Sequence, residues 1–182
     1  MLPLRRTFFA ALAVAGFVIA CGESKTSVGP KSGTLSPSDA SYTASVGSKS
    51  TLIGRATFSD GNPNFNVKRK TDDWQMEIKS KGPFDMAVQT IVFQPGGQSG
   101  WHTHPGPVFI QVLSGTMTFY MSDDPTCTPM VRTAGQSYVD IGEHPHIARN
   151  EGTEVATNLV TYFAPPGAAL RIDADAPGNC SF

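Results

Sequence analysis

From residue 51 onward, apolar and polar positions change in short runs, and no stretch after residue 21 carries a helical period. Leu52 to Phe58, Phe65 to Lys70, Trp74 to Lys79 and Phe84 to Phe93 are rich in β-branched and aromatic residues. Between them lie Asp60-Gly61-Asn62-Pro63, Asp72-Asp73 and Gly82-Pro83, which are turn chemistry. Val88, Thr90 and Val92 alternate with Gln89, Ile91 and Phe93, predicting a strand covered in part on both faces. Val108 to Leu113 and Thr116 to Met121 flank Ser114-Gly115 and predict a hairpin. Gln136 to Ile141, His146 to Arg149 and Val155 to Phe163 follow, the last apolar enough for a central strand. Pro165-Pro166-Gly167 closes it, and Leu170 to Ile172 predicts a last edge strand. Many short strands at regular spacing predict an all-β sandwich or barrel.

The pattern before residue 51 is different. Arg5 and Arg6 precede an apolar run, Phe8 to Ala20, that is too short for a comfortable membrane span and ends in small residues. This reads as a signal peptide over residues 1–20. Val18-Ile19-Ala20-Cys21 resembles a bacterial lipobox, which implies lipidation of Cys21 and a lipid-anchored protein of the bacterial cell envelope; an ordinary cleaved signal is the other reading. The route of export stays open. Residues 21–50 are dominated by Ser, Thr, Gly and Pro, with almost no large apolar side chain before Tyr42. Such a tract buries too little apolar area to offset its ordering entropy, which predicts a flexible tether in front of a globular domain over residues 51–182.

Charge and cysteine content narrow the classes. The formal net charge of −1 leaves no broad basic surface, which excludes nucleic acid as the expected partner. With Cys21 assigned to lipid, Cys127 and Cys180 remain in an exported domain, and they are expected to form a disulfide. Closing a loop of about fifty residues stabilises a fold by roughly 4 kcal/mol on the chain-entropy account. No Cys-x-x-Cys is present, so thioredoxin-like redox chemistry has no support.

All four histidines fall in two His-x-His pairs, His102 with His104 and His144 with His146. Residues two apart on a strand point to the same face, so each pair can present two imidazoles in one direction. Neutral imidazole is the common ligand of the later transition metals, and no cysteine or acid is needed beside it. The pairs therefore predict a divalent metal site. This donor set does not distinguish iron, manganese, copper, nickel and zinc. Protons compete for the ring nitrogens, so occupancy is expected to fall as pH drops through about 6.5.

The stretches around these pairs resemble the two motifs of the cupin superfamily, in its single-domain form. The first motif runs glycine, five residues, His-x-His, three or four residues, Glu, six residues, glycine, and Gly96, His102, His104 and Gly115 fall on it. The second runs glycine, five residues, Pro-x-Gly, two residues, His, three residues, Asn, and is matched by Gly135, His146 and Asn150. The sequence departs twice. The motif glutamate falls on Val108 or Phe109, and the Pro-x-Gly reads Ile141-Gly142-Glu143. The resemblance implies a jelly-roll barrel, a double-stranded β-helix, holding a metal on His102, His104 and His146. Without the glutamate the donors are neutral and the metal keeps its full charge, which attracts anionic or enolate-like ligands. His144 is the alternative fourth ligand and otherwise a surface histidine beside the cavity mouth.

Around these positions the expectations are blander. Asn150 reads as a cap on the turn before Glu151-Gly152 or as a ligand contact, Trp101 and Phe109 read as core ahead of the alternative of cavity lining, and Gln111 should face away from the metal. Glu143 reads as an exposed turn residue or a carboxylate serving the site, and Tyr120 and Tyr138 as packing. Cupins with three histidines and no glutamate include oxygenases. The resemblance thus implies a metal-dependent oxidoreductase of dioxygenase type acting on a small molecule, with a non-catalytic metal or small-molecule binding lipoprotein as the alternative. It implies a small-molecule partner, membrane contact through lipid alone, and a homodimer as an assembly many cupins adopt.

Overall fold

The computed structural model describes residues 42–59 and 64–182, so the expected signal peptide, Cys21 and the tether up to residue 41 lie outside the described residues. Among the described residues every element is a strand. In chain order these are β1 (Val46–Phe58), β2 (Asn64–Lys70), β3 (Gln75–Lys81), β4 (Phe84–Gln98), β5 (His102–Thr103) and β6 (Val108–Ser114). They continue as β7 (Thr116–Met121), β8 (Met130–Thr133), β9 (Ser137–Asp140), β10 (His146–Arg149), β11 (Ala156–Ala164) and β12 (Ile172–Asp173). β2 and β3 pair only with each other, and the other ten form one antiparallel sheet.

That sheet folds back on itself as a nearly closed jelly-roll barrel, the all-β class expected. One layer has the order β9-β6-β11-β4-β1 and the other β8-β7-β10-β5-β12, and they join where Arg149 pairs with Gln98. β11 lies between β4 and β6 and alternates buried with half-buried residues along its whole length, as its apolar run predicts. The core between the layers takes Phe93, Val108, Ile110, Val112, Val160 and Tyr162 from the first and Met117, Phe119 and Ala148 from the second. Each large apolar side chain buried in this way stabilises by about 1.5–3 kcal/mol before its ordering entropy is charged.

Four features differ from the sequence reading. β6 and β7 do not form a hairpin: β6 pairs with β11 and β9, and β7 with β10 and β8. Gly115, at φ 72°, carries the chain from one layer to the other, and a Cβ there would sit 2.8 Å from both Ala156 Cα and the Val155 carbonyl. The short strands β5 and β8 have no apolar alternation of their own to announce them. β1 starts at Val46, five residues inside the expected tether, because main-chain pairing with Phe93, Val92 and Ile91 orders Ser48, Lys49 and Ser50 without apolar burial. The last edge strand falls on Ile172 and Asp173 rather than Leu170 to Ile172.

The C-terminal segment is tied down by covalent and polar contacts. Cys127 and Cys180 form a disulfide with Cα atoms 5.3 Å apart, packed beside a second apolar cluster of Trp101, Tyr120 and Ile147. Asn179 Nδ2 donates to the carbonyls of Met121 and Asp124, at 2.9 and 2.6 Å. Phe182 lies edge-on to Tyr120 and beneath the Arg149 guanidinium.

Asn150, 1% exposed, ties the end of β10 to β4 and to the turn that leads into β11. Its Nδ2 donates to the carbonyls of Phe93 (3.1 Å) and Glu154 (2.8 Å), and its Oδ1 accepts from the Gly152 amide (3.1 Å). Its own amide donates to Gly97 O and its carbonyl accepts from the Gly96 amide. The capping alternative is therefore the one the structure contains. Asn150→Ala takes a donor from the buried Phe93 carbonyl and from the half-buried Glu154 carbonyl and is expected to cost about 2–3 kcal/mol. Asn150→Asp, which aims an acceptor at them, should cost more; equilibrium denaturation midpoints of the two variants check the order.

Candidate metal centre

The histidines meet because a two-residue strand is held from both sides. In β5, His102 pairs directly with His146 of β10 and with Asp173 of β12. His104 follows one residue past the end of β5 and keeps the parity that turns it to the same point. Ring centroids lie 4.4 Å apart for His102 and His146, 4.8 Å for His102 and His104, and 5.2 Å for His104 and His146. One nitrogen from each ring lies within 4.8 Å of the others, and all three residues are buried.

The outer nitrogens decide the tautomers. His102 Nδ1 is 2.9 Å from the Gly100 carbonyl and His104 Nδ1 is 2.6 Å from the Leu170 carbonyl. A carbonyl can only accept, so each Nδ1 carries the hydrogen and each Nε2 keeps its lone pair. For His146 the neighbour is a carboxylate: Asp140 Oδ2 lies 3.3 Å from His146 Nδ1 and 3.8 Å from His104 Nε2. Asp140 Oδ1 accepts from the Gly142 amide, which fixes the carboxyl group.

Burial pushes all three histidines below the usual imidazole range. For His102 desolvation leads, with the His146, Arg171 and His104 charges adding to it. For His104 desolvation outweighs the raising effects of the Leu170 carbonyl and Asp140. His146 is lowered to about 3 by desolvation first, then by His104 and Arg171. The rings are neutral at pH 7 and can act as donors to a metal.

The residues fit such an ion. Three neutral imidazoles converge, and Asp140 Oδ2 and His146 Nδ1 are buried without a hydrogen-bond partner of ordinary geometry. A buried carboxylate oxygen left in that state is costly unless a positive charge lies nearby.

The other sequence candidates fall where packing sends them. Val108 points inward beside the histidines, 1% exposed, so it is the residue standing at the motif glutamate. Phe109 points outward at 38% exposure against Phe163, which corrects its assignment to the core. On a strand whose next residue in either direction is inward, it has no other face available. Trp101 is core, and Gln111 and Glu143 are exposed. His144 lies outside the triad: it is half exposed in the turn before β10, with Nε2 3.7 Å from Asp123 Oδ2. Tyr138 stacks on Phe119, and the Tyr120 hydroxyl donates to Glu151.

Asp140 is the site residue the sequence reading missed. It pairs with Val108 across β9 and β6, so the two side chains share the inner face. The available signal was alternation: Ser137 to Asp140 is a strand, and Tyr138 and Asp140 share its inward parity.

Above the histidines is a cavity of about 250 Å³, lined by Ser45, Ser48, Ser50, Gln89, Tyr162 and Arg171 with His102 and His104 at its floor. A larger hollow of about 560 Å³ lies between β3 and the outer wall at Pro105, Phe109 and Phe163, and no histidine reaches it.

Residues 89–162 match the family model of the cupin domain. No curated protein matches the chain. Among solved structures the chain is similar to the polyketide cyclase RemF from Streptomyces resistomycificus, with 17% identity over 50% of this chain and 64% of that one, at a TM-score of 0.42. An uncharacterized conserved protein with a double-stranded β-helix domain from Klebsiella pneumoniae is 20% identical over 62% of this chain and 84% of its own, at 0.42. The DMSP lyase DddQ from Ruegeria pomeroyi is 20% identical over 48% of this chain and 42% of its own, at 0.41. The chain thus spans less than two thirds of the cyclase and of the lyase, and likeness at this level carries neither activity to it. The family match, the jelly-roll barrel and the positions of His102, His104, His146 and Asn150 agree: residues 89–162 of this chain are a cupin domain.

Proposed function

We propose that this protein holds one divalent transition metal on His102, His104 and His146 and acts as a small-molecule oxidoreductase of dioxygenase type, exported and anchored to the cell envelope by lipid on Cys21. The observation that carries the reading is the convergence of three buried, neutral imidazoles under an open cavity. A metal bound there supplies Lewis acidity toward an oxygen-bearing ligand and, where the ion is redox-active, electron exchange. The chain's own part is to keep three lone pairs aimed at one point, to exclude water with Phe93, Ile110 and Val160 behind the rings, and to leave access from one side only. Asp140, whose Oδ2 lies 3.3 Å from His146 Nδ1, sets a negative charge beside that ring, which favours its action as a donor to a cation.

A non-catalytic binding lipoprotein is the second reading. It is favoured by the cavity wall itself, where Ser45, Ser48, Ser50 and Gln89 can bind but offer no strong acid or base. Oxygen uptake by metal-loaded protein with a panel of phenols, diketones and thiols separates the two, since a bound metal with no turnover on any of them selects the binding reading.

His102→Ala, His104→Ala and His146→Ala should each lower metal stoichiometry from one per chain toward zero, whereas His144→Ala should leave it unchanged. Asp140→Asn should weaken the metal about ten- to a hundredfold while keeping the fold. Metal analysis and thermal melts of the five variants check both statements, and full occupancy in the three triad variants removes the site.

The pH dependence follows from the direction of the shifts. A histidine whose folded pKa is depressed takes its proton later on acidification than a free one, so protons displace the metal below, not at, the free value of about 6.5. Metal release should therefore be slight at pH 6 and proceed toward the value of about 3 that His146 reaches. A release midpoint at or above the free-histidine value, measured by equilibrium dialysis across pH, contradicts it.

The lipid anchor has its own test. Cys21→Ser should move the protein from the membrane fraction to the soluble fraction, and unchanged fractionation argues against lipidation at that residue.

A further inference from the structure

The cavity above the histidines has a charge asymmetry that metal binding does not use. Of the residues lining it, Arg171 alone carries a formal charge at pH 7, since the floor histidines are neutral and the rest are hydroxyl, amide or apolar. Among the described residues no carboxylate lines the wall, and Asp173 pairs with the guanidinium from outside the lining. We infer that Arg171 is a recognition residue for a carboxylate-bearing small molecule, held with its anionic end at the guanidinium and its body over His102 and His104. This deepens the reading of the same cavity as a substrate site and rests on that reading for its location.

Three observations support the assignment. First, Arg171 is placed by the elements that place the metal site. Its neighbour Leu170 holds His104 Nδ1 through its carbonyl, and Ile172 pairs with Thr103. The Arg171 backbone is therefore fixed beside the histidines. Second, only one edge of the group is engaged: Nε donates to Asp173 Oδ1 at 2.5 Å, and among the described residues the two Nη atoms make no hydrogen bond. Arginine suits a carboxylate because its planar fork donates two parallel bonds, and the unengaged Nη donors are the ones a ligand can use. Third, Arg171 lines the same cavity as His102 and His104.

The wall also sets the ligand's size. At about 250 Å³ the space is smaller than the 300–1,000 Å³ of a drug-sized pocket and takes a compact molecule. Ile91, Phe93 and Tyr162 offer one apolar side, and Ser48, Ser50 and Gln89 a polar one. A short carboxylic acid with one flat or branched apolar group and an oxygen substituent satisfies both.

The test is a nuclear magnetic resonance titration of the full metal-free chain with benzoate, pyruvate and the neutral analogue benzamide, following the Gln89 side-chain amide and Arg171 Nε–H. The two carboxylates should give saturable shifts and benzamide a much weaker response. Arg171→Gln should weaken carboxylate binding about ten- to a hundredfold, the range for losing a charge-assisted hydrogen bond, and leave benzamide unchanged. Arg171→Lys should retain part of the affinity, and Asp173→Asn, which releases the engaged edge, should increase it. Equilibrium dialysis with Zn²⁺ on wild type and Arg171→Gln runs beside this. Zn²⁺ uptake by the variant at the wild-type stoichiometry shows that the histidine site is intact, so lost carboxylate binding belongs to Arg171. Wild-type protein that takes no Zn²⁺ yet still discriminates benzoate from benzamide through Arg171 removes the metal reading and leaves this one standing. No saturable shift with either carboxylate, equal affinity for benzoate and benzamide, or an Arg171→Gln affinity within about twofold of wild type overturns the assignment.

Discussion

Three imidazoles in contact inside a barrel must not carry charge, and much of this structure can be understood as what keeps them neutral and aimed. With ring centroids 4.4 Å apart, two protonated histidines would repel by about 4 kcal/mol at an effective dielectric of about 20, before the cost of burying either. Each ring therefore holds one proton, and where that proton sits decides whether the lone pairs meet. The Gly100 and Leu170 carbonyls take it for His102 and His104, and Asp140 faces the corresponding nitrogen of His146. Three acceptors outside the triad are the condition for three donors inside it.

Those acceptors come from segments with little regular structure, which are fixed by other means. Gly100 has φ 70°, and a Cβ there would collide with the Thr43 carbonyl, so only glycine lets the chain before β5 lie against residues 43 and 44. Thr43 Oγ1 in turn accepts from the Trp101 amide. On the other side, β12 pairs with β5 through two residues only, and the chain beyond it is held by the disulfide, by Asn179 and by Phe182. A two-residue strand contributes little pairing energy, so the position of His102 depends on these outer fastenings. Stability near the C-terminus and the geometry of the site are in this way linked.

What was legible in the sequence follows the same division. β6, β11 and the start of β4 were visible because their side chains are sorted by burial, and alternation is the direct record of that sorting, while β7, buried through its middle, was visible as a run of β-branched and aromatic residues. His102, His104 and His146 were visible because metal ligation demands a residue type at a fixed spacing. β5 and β8 were not, since a strand of two to four residues is defined by the neighbours that pair with it and leaves no period of its own. The Gly115 turn was misread for a related reason: a glycine between two apolar runs has the composition of a hairpin, and only the partners of β6 and β7 show that the chain changes layers there. Asp140 escaped because spacing along the chain cannot show that it lies opposite Val108 on another strand.

That last placement has a consequence for the field in the cavity. Had the carboxylate stood at residue 108, beside the donor nitrogens, its charge would have offset part of a cation's charge on the side that a ligand approaches. On β9 it accepts from the Gly142 amide and lies 3.3 Å from His146 Nδ1 and 3.8 Å from His104 Nε2, so its charge acts on two of the rings from a strand that does not line the cavity. The cavity side keeps neutral hydroxyls, a neutral amide and the Arg171 guanidinium. Two arrangements with one carboxylate and three histidines each thus have the same formal charge but place it differently relative to the mouth, and in a medium of low dielectric the position of a charge counts for as much as its presence. With Val108 in the inner wall and Asp140 on another strand, the cavity lining among the described residues holds no carboxylate, and its one formal charge is the Arg171 guanidinium that Asp173 pairs on one edge.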